Sequence, residues 1–408
     1  MNPSPSRSRF QTRFRGVVVG TLLAAAVFTA IGIAATDRGV TGAPRMASVA
    51  PPRVLQPLGH LEIRLPGVSS ISANHDVVAV AAERLRKVRQ GCGKVLLWAP
   101  RSRRISAIAG GCSDANGYNS IYDLVLGRTV VAWVFSWGDR GSGSDCLMIR
   151  QVSTARIGRA ITRKNHACNA EYAGGRTLPA FESVANGGTT GAEGDLLTSL
   201  QTTASGIVYS IENYCNADCS APPSTVVPRH VTRSFLVSPG GAETLLAGPG
   251  VRIVAAAGDV VAAVRSNSLD VLDLGTQTWR KISHGPVRAA RADGEKLFVL
   301  RSKGLLETYD LRSGRRIAAE QLGSGNTPVQ LEDADGAFVV YVSNRQIHVR
   351  RTLDRKDVVL ALPRDIGTPL HAEIEPTGLY YSYNIRGTGA LGRVGFVGRS
   401  RLVRAFGA

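Results

Sequence analysis

The sequence predicts an all-β chain, a β-propeller of seven four-stranded blades preceded by one N-terminal apolar helix. Three observations carry this. From residue 60 onward there is no long amphipathic helix, and short β-like runs of five to nine residues recur between Gly, Asn, Asp and Pro. The runs fall into a repeat of four strands per 36 to 42 residues in the C-terminal half. The 45 glycines and 20% charged residues suit a turn-rich globular protein rather than a disordered one.

The repeat is clearest in "EKLFVLRSKGLLETYDLRSGRRIAAEQL", residues 295–322, which reads as strand, tight turn, strand, tight turn, strand. "PVRAARADG" before it supplies the fourth strand. Aligning every unit on its second strand gives starts near Asp76, Arg128, Gly206, Asp259, Glu295, Ala337 and Leu379. The last four lie 36, 42 and 42 residues apart, and the first three are spaced more widely, so they carry insertions. One four-stranded sheet cannot bury both its faces, but sheets arranged in a ring bury each face against a neighbour. "HLEIRLPG", residues 60–67, is a strand without a unit of its own. It is expected to complete the last blade, whose own fourth strand "RLVRAFGA" is short, and so to remove an open edge. A ring of six or eight blades is left open.

The units "YDLRSGRRI" and "LDLGTQTWRKI" each show a strand ending in Asp, a Gly-containing turn and an outer strand. In this the chain resembles the repeats of secreted bacterial propellers, the TolB-like and quinoprotein-like families. The resemblance implies the fold and no functional residue. The Trp-Asp dipeptide and the double glycine of two other propeller families are absent from the corresponding strand ends.

Residues 1–36 read as an export signal or membrane anchor. Arg7, Arg9, Arg13 and Arg15 precede an uncharged run from Gly16 to Thr36. A run of about 20 residues spans a bilayer as a helix, and cationic residues before it hold that end in the cytoplasm. The remaining chain is then outside, anchored to the cytoplasmic membrane, or secreted if small residues near Ala34 and Ala35 serve as a cleavage site. Residues 37–59, rich in Pro, Gly and Ala, read as a linker to a propeller over 60–408.

The net charge is +18, and only seven of the 49 basic residues are lysine. Such a surface attracts anionic polymers or lipids, although a compositional preference for arginine gives the same count. There is no basic helix and no alternation of basic and aromatic residues, so nucleic acid is not an expected partner.

In a propeller, loops from second to third strand and loops from blade to blade leave on one face of the disc. The long segments here belong to that face, and to the first three units: "ERLRKVRQGCG", "SWGDRGSGSD", "ENYCNADCSAPPSTVVPRH" and "KNHACNAEYAGGRTLPAFESVANGGTTGAEGD". Long loops on a rigid scaffold commonly carry binding, although they are also tolerated without a role. The polar and aromatic candidates within them are Trp137, Asp139, Arg140, His166, Glu171, Tyr172, Glu182, Tyr214, Asp218 and His230.

All six cysteines fall in these loops on this layout. Cys92 and Cys112 are 20 residues apart, and Cys146 and Cys168, 22 apart, repeat their placement one unit later. Of the 15 pairings that six cysteines allow, the repeat selects Cys92 with Cys112, Cys146 with Cys168 and Cys215 with Cys219. A zinc site of Cys215, Cys219, Cys168 and His166 is the alternative, and it would strand Cys146. No metal site, cofactor or catalytic constellation is specific enough to expect. "DGEKLFV" and "DADGAFVV" read as Asp-Gly turns. His284, His371 and Glu373 fall near blade junctions, where they could reach a central channel. The inner strands "VSSISANH" and "VRIVAAAG" are poor in charge, which disfavours an enzyme. The leading expectation is therefore a non-catalytic extracytoplasmic scaffold binding a partner protein or an anionic cell-envelope polymer. The alternative is a propeller enzyme outside the cytoplasm, such as a lyase, glycosidase or quinone-dependent dehydrogenase.

Overall fold

The structure, a computed structural model, describes residues 52–58, 61–85, 91–112, 118–138, 143–151, 165–168, 193–215, 232–239, 242–323, 327–386 and 391–407. The N-terminal apolar run lies outside them. Among the described residues no helix is long and apolar enough to cross a membrane.

Seven sheets form a seven-bladed propeller. β1 (Arg53–Leu55) and β2 (Glu62–Leu65) precede the first complete blade. Blade 1 is β3 (Gly67–Asn74), β4 (Val77–Leu85), β5 (Gly91–Ala99) and β6 (Arg104–Cys112). Blade 2 is β7 (Tyr118–Leu126), β8 (Val130–Gly138), β9 (Gly143–Gln151) and β10 (Asn165–Cys168). Blade 3 is β11 (Glu193–Thr203), β12 (Gly206–Cys215), β13 (Thr232–Val237) and β14 (Glu243–Ala247). Blade 4 is β15 (Val251–Ala257), β16 (Val260–Arg265), β17 (Ser268–Asp273) and β18 (Thr278–His284). Blade 5 is β19 (Ala289–Asp293), β20 (Lys296–Leu300), β21 (Leu305–Asp310) and β22 (Arg316–Gln321). Blade 6 is β23 (Val329–Ala334), β24 (Phe338–Ser343), β25 (Gln346–Arg351) and β26 (Asp357–Leu360). Blade 7 is β27 (Ile366–Glu375), β28 (Gly378–Ile385) and β29 (Leu391–Gly398), completed by β2.

The first strand of each blade is innermost. Each touches the first strand of the next, with β27 returning to β3, so the ring is closed. Second strands are apolar on both faces because each is sandwiched between neighbouring blades. In β4, Val78, Ala79, Val80 and Ala81 are all fully buried, and β24 and β28 behave alike. Fourth strands face solvent on one side and alternate, as in β22. Tight turns join first to second strands. Gly294 and Gly336 sit there at φ 48° and 73°, in the two Asp-Gly stretches read as turns.

The ring closes through the N-terminal strand. β2 runs antiparallel to β29, with Glu62 opposite Gly395, and Tyr381 donates its hydroxyl to Glu62 Oε1 at 2.6 Å. The carboxamide of Asn384 clasps both the N–H and the C=O of Val68, each at 2.9 Å, joining blade 7 to blade 1. Residues 401–408, "RLVRAFGA", expected to be a short outer strand, instead overlap the helix α1 (Arg399–Ala405). The outer position is already taken by β2, so this segment has no sheet edge left to pair with. It folds back as a helix that buries Leu402, with Phe406 just beyond it packing on Phe338. Within the segment read as a linker, β1 adds in parallel to the outer edge of blade 6.

Candidate functional site

The innermost strands carry both the seams between blades and the lining of the central channel. Six of the seven contain a register irregularity against their partner: β3 between Val68 and Ser70, β7 between Ile121 and Asp123, β11 between Leu197 and Ser199. The same occurs in β15 between Ile253 and Ala255, β23 between Leu331 and Asp333, and β27 between Gly367 and His371. An extra residue in one strand leaves backbone groups unpaired within the blade, and buried backbone groups must find partners elsewhere.

They find them across the seams. Ser72 Oγ accepts the N–H of Leu126, and Ser210 Oγ accepts that of Ile253, at 3.0 and 2.9 Å. Ser234 donates to the carbonyl of Val251 and Ser69 to that of Ile121. Around blades 6, 7 and 1 the same task falls to carboxylates. Asp333 accepts from Ile374 N at 2.8 Å, Glu332 from Ala372 N at 3.3 Å, and Glu375 from His75 N at 3.0 Å. Glu373 accepts from Ala73 N, and Arg291 Nε donates to the carbonyl of Glu332. His371 reaches Ser69 O through Nε2 at 3.0 Å, while its Nδ1 lies 3.4 Å from Glu332 Oε2.

A serine hydroxyl makes such a bond without charge, whereas a buried carboxylate loses its hydration. Burial pushes Asp333 up to about 7, Glu375 to about 7 and Asp123 to about 6. Burial also holds Glu373 well above the usual carboxylate range, and the negative charge of Asp333 adds to it. Asp335 and Asp293, at the turn end of the same strands, are raised by burial as well. Arg291 opposes these shifts at Asp123, Asp333 and Glu373. Asp123 of blade 2 feels both Arg291 of blade 5 and His371 of blade 7. Groups from blades that are not neighbours meet only across the channel.

The structure therefore corrects the expectation that the inner strands are poor in charge. It holds for β3 and β15, but β7, β19, β23 and β27 bring Asp123, Arg291, Glu332, Asp333, His371 and Glu373 to the axis. His371 and Glu373 lie on the innermost strand as expected. His284 does not, since it ends the outer strand β18 and is exposed. A signal was available in the alternation His371-x-Glu373-x-Glu375 and Arg291-x-Asp293, which sets charges on one side of two inner strands.

The strand ends also fix which connections share a face. Segments 86–90, 139–142 and 216–231 join second to third strands, and 113–117 and 169–192 join one blade to the next. All start and finish on one face of blades 1 to 3, but only 169–192 and 216–231 are long: β4 and β5 take up most of "ERLRKVRQGCG", and β8 and β9 most of "SWGDRGSGSD", which corrects the expectation of long loops there. In blades 4, 5 and 6 the corresponding second-to-third turns are the tight Ser266–Asn267, Ser302–Gly304 and Asn344–Arg345.

The five cysteines within the described residues lie in strands, near their ends on that face, rather than within loops. The backbone register sets Cys92 of β5 directly opposite Cys112 of β6, and Cys146 of β9 directly opposite Cys168 of β10. Cys215 ends β12, opposite Glu193 of β11, and Cys219 lies outside the described residues. Of the candidate loop residues, three are on strands: Trp137 in β8 opposite Asn119, His166 in β10, and Tyr214 in β12 opposite Gly194. Asp139, Arg140, Glu171, Tyr172, Glu182, Asp218 and His230 lie outside the described residues. Among the described residues no group of three or more His, Cys, Asp or Glu is arranged to hold a metal ion.

No family model matches the sequence, and no curated protein matches it. Among solved structures, a chain in the crystal structure of mitotic checkpoint complex covers 90% of this chain and 99% of its own length, at 11% identity and a TM-score of 0.45.

Proposed function

We propose that this chain is an extracytoplasmic binding scaffold. Its propeller, anchored by the N-terminal apolar segment or secreted after its removal, binds a partner protein or an anionic polymer of the envelope. The binding surface is the face from which the long connections 169–192 and 216–231 leave blades 2 and 3. The observation that supports this most is the repeated opposition of cysteines, Cys92 to Cys112 and Cys146 to Cys168, on the third and fourth strands of consecutive blades. Directly opposed residues on antiparallel strands have Cα atoms about 4.5–5.5 Å apart, within the range a disulfide spans. Such bonds persist outside the reducing cytoplasm, which agrees with the arginine-flanked apolar run. Staples at the roots of the long connections, with a third between Cys215 and Cys219, fix loop shape, which lowers the entropy lost on binding.

The channel supports the same reading. Glu332, Asp333, Glu373 and Glu375 each spend an oxygen on an amide of the neighbouring inner strand. These carboxylates hold blades 6, 7 and 1 together.

Replacing residues 171–190 and 217–230 by short Gly-Ser links, with Cys215→Ser to avoid a stray thiol, tests this. Loop length costs little entropy, so the melting temperature is expected to stay within roughly 3 °C. Chemical cross-linking on the cell envelope is expected to recover specific partners with the parent protein and to lose them with this variant. Recovery of the same partners by both proteins would contradict the assignment of the face.

A further inference from the structure

A cleft of about 720 Å³ opens on the same face as the long connections, at blades 5 and 6 beside the start of β27. Arg288, Gln330, Asn344 and Arg345 supply its polar lining, and Val342 and Leu370 are among its apolar residues. Asn344 and Arg345 form the two-residue turn between β24 and β25, with φ of 49° and 62°. A hairpin turn with two left-handed residues favours Asn followed by Gly. An arginine in the second place costs on the order of 1 kcal/mol. Residues strained in this way are held by the structure around them and collect at ligand sites, and Arg103, Lys303 and Arg355 share this φ in other turns.

The side chain of Arg345 is incompletely used by the protein. One terminal nitrogen donates to the carbonyl of Ile366, while its Nε is buried without a hydrogen-bond partner. A buried donor without an acceptor is unfavourable. Among the described residues no carboxylate lies within ion-pair distance of Arg345 or Arg288. The surroundings are of one sign. On the described turns of this face in blades 4 to 7, Lys303, Arg364 and Arg386 add positive charge, and Asp365 is the one carboxylate. At the opposite mouth Asp293, Asp335 and Glu375 stand with Lys296 and Arg399, and Arg399 pairs with Asp335.

We propose that this cleft binds an acidic segment of a partner protein, with a carboxylate against Arg288 and Arg345 and an adjacent apolar side chain against Leu370 and Val342. The inference rests on the reading of this face as the binding surface. Two guanidiniums beside the buried Leu370 and the half-buried Val342 match a peptide in which Asp or Glu neighbours a hydrophobic residue. A uniformly charged polymer would leave the apolar half of the cleft unfilled.

The test uses residues 44–408 and a fluorescein-labelled twelve-residue peptide of alternating Glu and Leu, with an otherwise identical Gln and Leu peptide as control. The Glu peptide is expected to bind at least about tenfold more tightly, a difference of about 1.4 kcal/mol. Arg288→Gln and Arg345→Gly are each expected to weaken it by a similar factor, and Arg315→Gln, on the opposite face, to leave it unchanged. Arg345→Gly restores the favoured Asn-Gly turn, so loss of binding there is not loss of the fold. Equal binding of the two peptides, or equal weakening by Arg315→Gln, would overturn the proposal, as would binding of polyphosphate without binding of the peptide. If Arg288→Gln and Arg345→Gly change nothing while the loop-shortened variant loses its cross-linked partners, this inference fails and the binding face stands. If cross-linking too is unaffected by loop shortening, the face itself is wrong.

Discussion

Gly395→Ala is expected to destabilise the propeller by roughly 3–5 kcal/mol, lowering its melting temperature by at least about 5 °C. Gly395 lies in β29, opposite Glu62 on one side and Tyr381 on the other. A methyl group there would overlap the phenol of Tyr381. That ring cannot move aside easily. It is fully buried among Leu402, Phe406 and Val397, lies parallel to the ring of Tyr383, and its hydroxyl holds Glu62 of the closing strand. Displacing it loosens the joint between β2 and β29, where the two ends of the domain pair. Gly248→Ala is the control: no atom lies within 4 Å of the added carbon, so its effect is expected to stay within about 0.5 kcal/mol. Thermal unfolding followed by circular dichroism measures both. Equal melting temperatures for Gly395→Ala and the parent would show that the β2–β29 joint is not packed as described.

The second large effect is on pH dependence. Asp333 and Glu375 are raised to about 7, Asp123 to about 6, and Glu373 further above its ordinary value, all mainly by burial. A carboxyl group raised in the folded state binds its proton more tightly there than in the unfolded chain. Its contribution is fully present below the unfolded value near 4 and is lost as pH rises through about 7. The propeller is therefore expected to melt higher at pH 5.5 than at pH 8, by a few kcal/mol of stability in order of magnitude. His348 works the other way, since burial lowers it and its contribution fades as pH falls. It is one group against several. Asp333→Asn with Glu373→Gln keeps acceptor oxygens for Ile374 N and Ala73 N but removes the ionisation. This variant is expected to be more stable than the parent at pH 8 and to show a flatter profile. A parent profile that is flat or rises from pH 5.5 to 8 would mean that these carboxyls are not held in a dry channel.

Much of this fold can be read from the chain. The seven second-strand starts near Asp76, Arg128, Gly206, Asp259, Glu295, Ala337 and Leu379 fall within two residues of β4, β8, β12, β16, β20, β24 and β28. Those strands are buried on both faces, so their apolar runs are continuous and stand out. The orphan strand at residues 60–67 does complete the last blade, as β2. Residues 401–408 are harder to read. "RLVRAFGA" alternates well enough for a strand, and only prior occupation of the outer edge by β2 makes it a helix. β1 was illegible for a related reason: three residues in a Pro-rich stretch show no period, and the exposed edge of β26 is what orders them. At Glu373 and Glu375 the alternation with Ala372 and Ile374 reads as an ordinary half-exposed strand. Ring closure turns that polar side toward an axis instead of bulk water, and closure is a property of all seven blades together. For Arg345 the chain shows only Asn-Arg where Asn-Gly is favoured, a single departure whose meaning depends on the cleft beside it.

The most direct test of the binding-scaffold account is peptide mapping of residues 44–408, exported by the native N-terminal segment and digested without reduction, together with its metal content. Bonds between Cys92 and Cys112, Cys146 and Cys168, and Cys215 and Cys219 are expected, with no stoichiometric metal. Free thiols at these six positions, or zinc bound by Cys168, Cys215 and Cys219, would contradict it, because the loop face would then be neither oxidised nor stapled.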